Sequence, residues 1–446
     1  MTSTGFLHAI DLGTSTSAIV VGRPDGTVRQ VYDPLRADSA SIPTSVCVLP
    51  NGEIAVGTKA ENAKHAYPAA YRREFKQSFG DDTLSRPGGR PLTAADMTTE
   101  VIRFLRGQAL AAAPGAPDRV VVTIPASWQA GNRQRMRDVV RRAGYGEAEI
   151  DLVPEPVAAV VHAFGQQPLL SDPLTVLVFD LGGGTFDCAV ARGTAGWFEV
   201  LGTPDGVDGI GGAAFDRKLL GLVRARYGTA LPPALDGRTD DPETLRRWVT
   251  LMDTCEQIKI QLSDEDPVRR RLLQLTPPQD FVVTRAQFAT EIRPLVAEAL
   301  SVCDRLLSKP DLSWADIDRV VPVGGGSHVS LVKEMLSERG RPVLEVDSPD
   351  LAVVLGAAMI GQTRHGGAGP RRLFVNGDQK VVDRPVLGFD EILALAFTEP
   401  PVGPFITVTV TFARGPRHRP VGSLLGGESV PVVEDMVFNV TITDRS

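Results

Sequence analysis

Two aspartate–glycine turns, one near residue 11 and one near residue 180, constrain this chain more than any other feature. The first reads Ala9-Ile10-Asp11-Leu12-Gly13-Thr14-Ser15-Thr16-Ser17. The second reads Val178-Phe179-Asp180-Leu181-Gly182-Gly183-Gly184-Thr185-Phe186-Asp187. Each is an apolar strand, an acidic residue, a glycine turn, a hydroxyl residue and a second strand. Glycine lets backbone N–H groups approach a phosphate, and successive N–H groups in a turn form an anion nest. A carboxylate beside the turn suits a hydrated magnesium ion, which takes one or two acidic ligands plus substrate phosphates. Two such hairpins can grip one nucleotide from opposite sides.

The rest of the chain is consistent with an α/β protein of more than one domain. Its 446 residues exceed one simple core. Apolar content of 43% and charged content of 23% are those of a soluble globular chain. A net charge of −7 argues against nucleic acid as a partner. Cys47, Cys188, Cys255 and Cys303 are far apart and form no CxxC, so neither a metal site nor a disulfide framework is expected. The N-terminus lacks a signal-peptide pattern, and the longest apolar stretch, Leu351 to Gly361, is half a membrane span. A cytoplasmic location with no membrane partner is the expectation.

Residues 5 to 35 read as strands, with Val28 to Tyr32 following a turn at Pro24-Asp25-Gly26. Val46 to Leu49 and Ile54 to Val56 flank Pro50-Asn51-Gly52 as a hairpin. Residues 93 to 113 read as a helix, Val120 to Ile124 as a buried parallel strand, and Gln129 to Ala143 as a basic amphipathic helix. Residues 213 to 310 read as mostly helical, interrupted at Leu231-Pro232-Pro233 and Pro277-Pro278. Val320 to Val323 is the last strand before Gly324-Gly325-Gly326. Residues 364 to 371 read as a flexible linker. After it come a hairpin across Asn376-Gly377, a helix over Phe389 to Phe397, and alternating strands over Phe405 to Phe412 and Met436 to Thr443. Ile406, Val408, Val410 and Phe412 are expected on one face of the first strand. Met436, Phe438, Val440 and Ile442 are expected on one face of the second.

The first 366 residues resemble the nucleotide-binding domain of the heat-shock protein 70 family, in the actin-like ATPase superfamily. The segments IDLGTSTS, VVVTIPASW with VPEPVAAVVHAFG, VFDLGGGTFD with GIGGAAFD, CEQIKIQLSD with VVPVGGGSHVS, and DLAVVLGAAMIGQ carry the likeness. The resemblance implies two lobes built as duplicated ribonuclease H-like domains, with ATP/ADP and Mg2+ in the cleft and K+ as a further candidate ion. By position, Asp11 and Asp180 would hold magnesium through its waters. Gly13, Thr14, Ser15, Gly182, Gly183, Gly184 and Thr185 would line the phosphates, with Gly211 and Gly212 beside them. Lys76 would point at the γ-phosphate, and Glu155 and Asp187 would order the attacking water. Thr185 is counted with this catalytic set. Glu256 and Lys259 either contact the ribose or form an i,i+3 surface pair. Gly324, Gly325 and His328 belong to the second wall of the adenosine pocket. Asp350 either caps the closing helix or faces the pocket.

The departures from the family pattern are specific. Ser15-Thr16 stands where Thr and an aromatic or amide residue are usual, Gly326 and His328 where Ser and Arg are usual, and Ile260 where some members carry Arg. Stacking of a guanidinium on adenine is lost, which implies weaker or less base-selective binding. A full chaperone of the family continues into an apolar linker, a peptide-binding sandwich and a helical lid, and residues 372 to 446 match none of these. FVNGDQKVVDRPVLGFDEILALAF and VFNVTITD instead resemble the ubiquitin-like β-grasp domains of bacterial multiubiquitin proteins. Gly426-Gly427 reads as a turn and the chain ends Asp444-Arg445-Ser446, so the tail is expected to act as a recognition domain and not as a conjugated tag.

The implied function is a slowly hydrolysing, chaperone-like ATP switch whose tail recruits a ubiquitin-like pathway component. A client protein and a nucleotide exchange factor are the other expected partners. A nucleotide-dependent adaptor with little hydrolysis, a small-molecule kinase of the same fold and a filament-forming relative are the alternatives.

Overall fold

The computed structural model describes residues 6–23, 27–165, 174–194, 197–228, 231, 241–344, 348–365, 371–382, 386–397, 406–414, 421–424, 429–432 and 435–444. The turn at Pro24-Asp25-Gly26, most of the Leu231-Pro232-Pro233 loop, the centre of the linker, Phe405, Gly426-Gly427 and Arg445-Ser446 lie outside these residues. The chain divides into two compact units, Met1–Met359 and Ile360–Ser446.

The first unit repeats one sheet topology in two lobes. In the first lobe the strand order is Val28–Gln30, Thr16–Gly22, Leu7–Leu12, Arg119–Ile124, Glu149–Pro154. In the second it is Trp197–Asp208, Thr185–Thr194, Leu174–Leu181, Arg319–Val323. In both, a glycine-turn hairpin pairs antiparallel and its first strand pairs parallel with a strand from far along the chain. Parallel pairing needs a crossover, and buried parallel strands read as unbroken apolar runs, as Val120-Val121-Val122 does. Each lobe encloses its own core. Ile10, Ile19, Val122 and Leu105 are in one, and Phe179, Phe186, Phe215 and Phe288 in the other.

The expected helices over 93 to 113 and 129 to 143 are present as Ala94–Ala112 and Ala130–Arg142. The first is started by a capping box, in which the Thr93 hydroxyl accepts from the Asp96 N–H and the Asp96 carboxylate from the Thr93 N–H. Met97, Val101, Ile102, Leu105 and Ala109 form its buried stripe. Glu155–Gly165 and Ala352–His365, one helix from each lobe, pack backbone to backbone. A Cβ on Gly356 would lie 1.8 Å from the Ala158 carbonyl oxygen, so only glycine allows the crossing.

Two expectations are corrected in this unit. The strand after the first hairpin ends at Gln30 and does not reach Tyr32, whose side chain is exposed. The segment 213 to 310 is not helix broken by Pro277-Pro278. It holds a β-hairpin, Val268–Leu272 with Gln279–Val283, between helices Pro242–Gln261 and Arg285–Ser308. Val268 and Leu272 face the core with Phe281 and Val283, while the intervening arginines mask the alternation in the sequence.

The second unit is a five-stranded mixed sheet in the order Asp378–Val382, Arg371–Val375, Met436–Asp444, Ile406–Ala413, Val421–Leu424, with helix Phe389–Ala396 on its core. The first and last strands lie parallel at its centre. Short strands Val386–Gly388, Val421–Leu424 and Ser429–Pro431 add to the simpler order expected. Val410 and Phe412 are buried, Val408 packs partly buried against them, and the Ile406 side chain is outside the described set. Met436, Phe438 and Val440 are buried as expected, but Ile442 is 40% exposed, because it lies at the strand's far end beyond the helix-covered core.

Candidate functional site

The two glycine turns face each other between the lobes of the first unit. A Cβ added to Gly183 would meet the Ser15 Oγ at 2.1 Å, and one on Gly184 would meet Thr14 Cγ2 at 2.6 Å and Gln77 Nε2 at 2.5 Å. The second turn is stitched to the start of helix Gly212–Tyr227. Gly212 N–H donates to the Gly182 carbonyl at 3.0 Å and Ala213 N–H to the Gly183 carbonyl at 2.8 Å. Gly211 and Gly212 therefore brace the turn from behind. The Thr14 hydroxyl is buried and has no hydrogen-bond partner among the described residues. An orphaned buried donor facing a glycine nest marks a place for a polar ligand.

Five charged groups converge beside the turns. Lys76, on the 3-10 turn Phe75–Ser78, donates to Glu155 at 2.7 Å, where Glu155 opens helix Glu155–Gly165. Its ammonium also sits 5.9 Å from the centroid of Trp128, which stacks on Phe79. Trp128 closes the quoted segment VVVTIPASW, and the structure adds a supporting contact to Lys76 that no sequence signal marked. Asp11 accepts from the Thr123 hydroxyl at 2.6 Å, and Asp187 accepts from the Ala126 N–H at 2.7 Å. Asp180 and Asp187 are buried next to them. Gly324 passes over Asp180 with φ +79°, and a Cβ there would fall 2.7 Å from its Oδ1.

Burial pushes Asp180 well above the usual carboxylate range, and the charges of Glu155, Asp187 and Asp11 push it further. Asp187 is raised well above its usual range by burial and by Glu155. Asp11 and Glu155 are raised by burial against the pull of Lys76. Burial would lower Lys76, but Glu155 outweighs it and holds the ammonium charged. One buried cation among four carboxylates leaves excess negative charge, which a divalent cation would neutralise. Among the described residues no three acidic, histidine or cysteine side chains converge to ligate a metal directly. A set of carboxylates that do not converge on one point fits magnesium held through its waters.

Glu256 and Lys259 do not pair with each other. Lys259 donates to Asp216 at 3.0 Å and to the Gly212 carbonyl at 3.3 Å, while Glu256 accepts from Arg73 of the opposite lobe at 3.3 Å. The i,i+3 surface pair is therefore set aside. Asp350 precedes helix Ala352–His365, and its carboxylate faces His328 Nε2 at 3.6 Å, a neighbouring negative charge that raises the His328 pKa. Between the two walls lies a small open recess, bordered by Lys259, Leu262 and Ser263 on one side and Val329 and Ser330 on the other, with Phe288 beneath. Gly325 and His328 form the adjacent turn, and Ile260 is exposed at the first wall.

Ion pairs link residues 61–74 to residues 217–253. Lys64 reaches Asp253 at 2.7 Å and Glu61 at 2.8 Å, His65 lies 3.5 Å from Asp253, and Arg217 reaches Glu74 at 2.8 Å.

Two lobes of one repeated topology, with paired glycine turns and acidic groups between them, define an actin-like ATPase fold. Residues 76–375 match the family model described as Hsp70 protein, and residues 371–444 match the one described as Multiubiquitin. The chain belongs to the Hsp70 protein family and carries a multiubiquitin domain at its C-terminal end. It is 30% identical over 362 residues to the chaperone protein DnaK of Thermotoga petrophila, a match covering 79% of this chain and 59% of that protein. It is 31% identical over 374 residues to the chaperone protein HscA of Proteus mirabilis, covering 78% and 57%. With HscA of Escherichia coli it shares 34% identity over 269 residues, covering 60% and 40%. The chain thus spans between 40% and 59% of the length of these relatives. No helix among the described residues is long and apolar enough to cross a membrane.

Proposed function

We propose that this protein is a magnesium-dependent, slowly hydrolysing ATP switch of chaperone type. Residues 1–366 form its ATPase domain, 364–371 a linker, and 372–446 a ubiquitin-like domain that recruits a partner from a ubiquitin-like pathway. The observation that carries the proposal is the convergence of Lys76, Glu155, Asp11, Asp180 and Asp187 beside two facing glycine turns.

In this reading the N–H groups and hydroxyls of the turns, Thr14, Ser15 and Thr185 among them, hold the phosphates. Lys259 and Glu256 contact the ribose, and the base enters the recess beside Ser263 and Val329. Mg2+, when bound, would neutralise phosphate charge. Lys76 turns from Glu155 toward the γ-phosphate and stabilises charge spread over its oxygens. Glu155 and Asp187 orient the attacking water. Burial makes Asp187 a stronger base than an exposed carboxylate, and the Ala126 N–H fixes one of its oxygens, leaving the other to accept a proton. Phosphoryl transfer needs mainly positioning and charge neutralisation, and these residues supply both.

A nucleotide-dependent adaptor with little hydrolysis is the second reading. It is favoured by one contact, the Lys76–Glu155 pair, in which the ammonium already has a carboxylate partner. Phosphate release from ATP with Mg2+ separates the two. Turnover abolished by Lys76→Met supports the switch. Binding of ATP without phosphate release supports the adaptor, and no binding of ATP or ADP refutes both.

A further inference from the structure

We infer that Asp216 is the positioning residue that gives the cleft its preference for a ribose over a deoxyribose nucleotide, by locking Lys259 with one N–H left to donate. The inference rests on the proposed nucleotide site and concerns a residue to which no role has been given.

Asp216 lies in helix Gly212–Tyr227 and is fully buried. Its Oδ2 accepts from Lys259 Nζ at 3.0 Å, and the Gly212 carbonyl accepts from the same nitrogen at 3.3 Å. An ammonium has three donors. Two are spent inside the protein, so the third has a fixed direction instead of swinging on a flexible stem. The other carboxylate oxygen, Oδ1, is buried without a hydrogen-bond partner among the described residues. The charged groups facing Asp216 are Lys259 and Glu256 of helix Pro242–Gln261 and Arg73 of strand Tyr71–Arg73, with the thiol of Cys255 beside them. Burial pushes the Asp216 carboxyl up to about 6, Glu256 adds to this, and Lys259 and Arg73 oppose it. The lock is therefore engaged at neutral pH and released in mild acid.

The test compares ADP with 2′,3′-dideoxy-ADP by calorimetry with Mg2+ on the full chain. The wild type should prefer ADP by roughly tenfold at neutral pH, as a hydrogen bond from a charged donor implies. Asp216→Asn should lower that ratio severalfold, to the share that Glu256 still supplies, while leaving the ADP-to-AMP ratio, which reports the phosphate loops, unchanged. A merely structural Asp216 would weaken both diphosphates equally and preserve the first ratio. The wild-type preference should also fall below about pH 6, a readout that needs no variant. An undiminished ratio in Asp216→Asn, or a wild-type preference unchanged down to about pH 5, overturns the inference. Failure of the wild type to bind either diphosphate overturns the proposed function, and this inference with it.

Discussion

Replacing Lys76 by methionine keeps much of the side-chain volume and removes the charge. In the wild type the ammonium is buried, bonded to Glu155 at 2.7 Å, and attracted by Asp11 and Asp187. Deleting one partner of a buried ion pair costs about 3–5 kcal/mol, because it strands the other charge. Glu155 can escape by taking up a proton, since burial already raises its pKa. The stability loss should therefore fall at the low end, about 3 kcal/mol. The rate effect is separate. A cation aimed at developing charge contributes about 3 kcal/mol to the barrier, so kcat should fall roughly a hundredfold. ATP affinity should change by less than about fivefold, because the ammonium acts mainly in the transition state. Single-turnover hydrolysis, calorimetry and denaturant unfolding on the same samples measure all three. The double variant Lys76→Met, Glu155→Gln leaves neither charge stranded. It should regain most of the lost stability and none of the rate. Hydrolysis by Lys76→Met at the wild-type rate, or a double variant no more stable than the single one, would refute the reasoning.

Three other outcomes are expected. Asp180 and Asp187 carry raised pKa values, so their contribution to stability is full below the ordinary carboxylate range and is lost as pH rises through the raised values. The ligand-free protein should melt higher at about pH 6 than at about pH 8, and Mg2+ with ADP should shrink the difference; a melting temperature that drops towards pH 6 contradicts this. Lys64→Ala or Asp253→Ala should speed ADP release several-fold, since the pair between them is part-buried and worth about 1 kcal/mol; unchanged stopped-flow release rates would remove this pair from the account. Phe438→Ala should cost about 3–5 kcal/mol, comparable to the stability of a small domain, and unfold the C-terminal unit while ATP binding persists. Hydrogen-exchange protection retained across residues 436–444 would disprove it.

Much of the site was legible because its backbone chemistry is local. A carboxylate, glycines and a hydroxyl within a few positions define each turn, and each folded as a hairpin in that register. The unbroken valines of Arg119–Ile124 and the alternation in Met436–Asp444 likewise declare a buried strand and a half-buried one. The hairpin of Val268–Leu272 was not legible, because three arginines hide its two inward residues. Ile442 follows its strand's alternation yet is exposed, since the period names a face and only the packed helix decides how much of that face is covered. The charged side chains diverge most. An i,i+3 spacing places Glu256 and Lys259 within reach of each other, but Lys259 bonds to Asp216 and Glu256 to Arg73. Residues a few positions apart set the course of the backbone. The partner of a long charged side chain is set by which opposite charge the fold brings nearby and shields from water, and Lys76 with Glu155 is such a choice, made across 79 positions of chain.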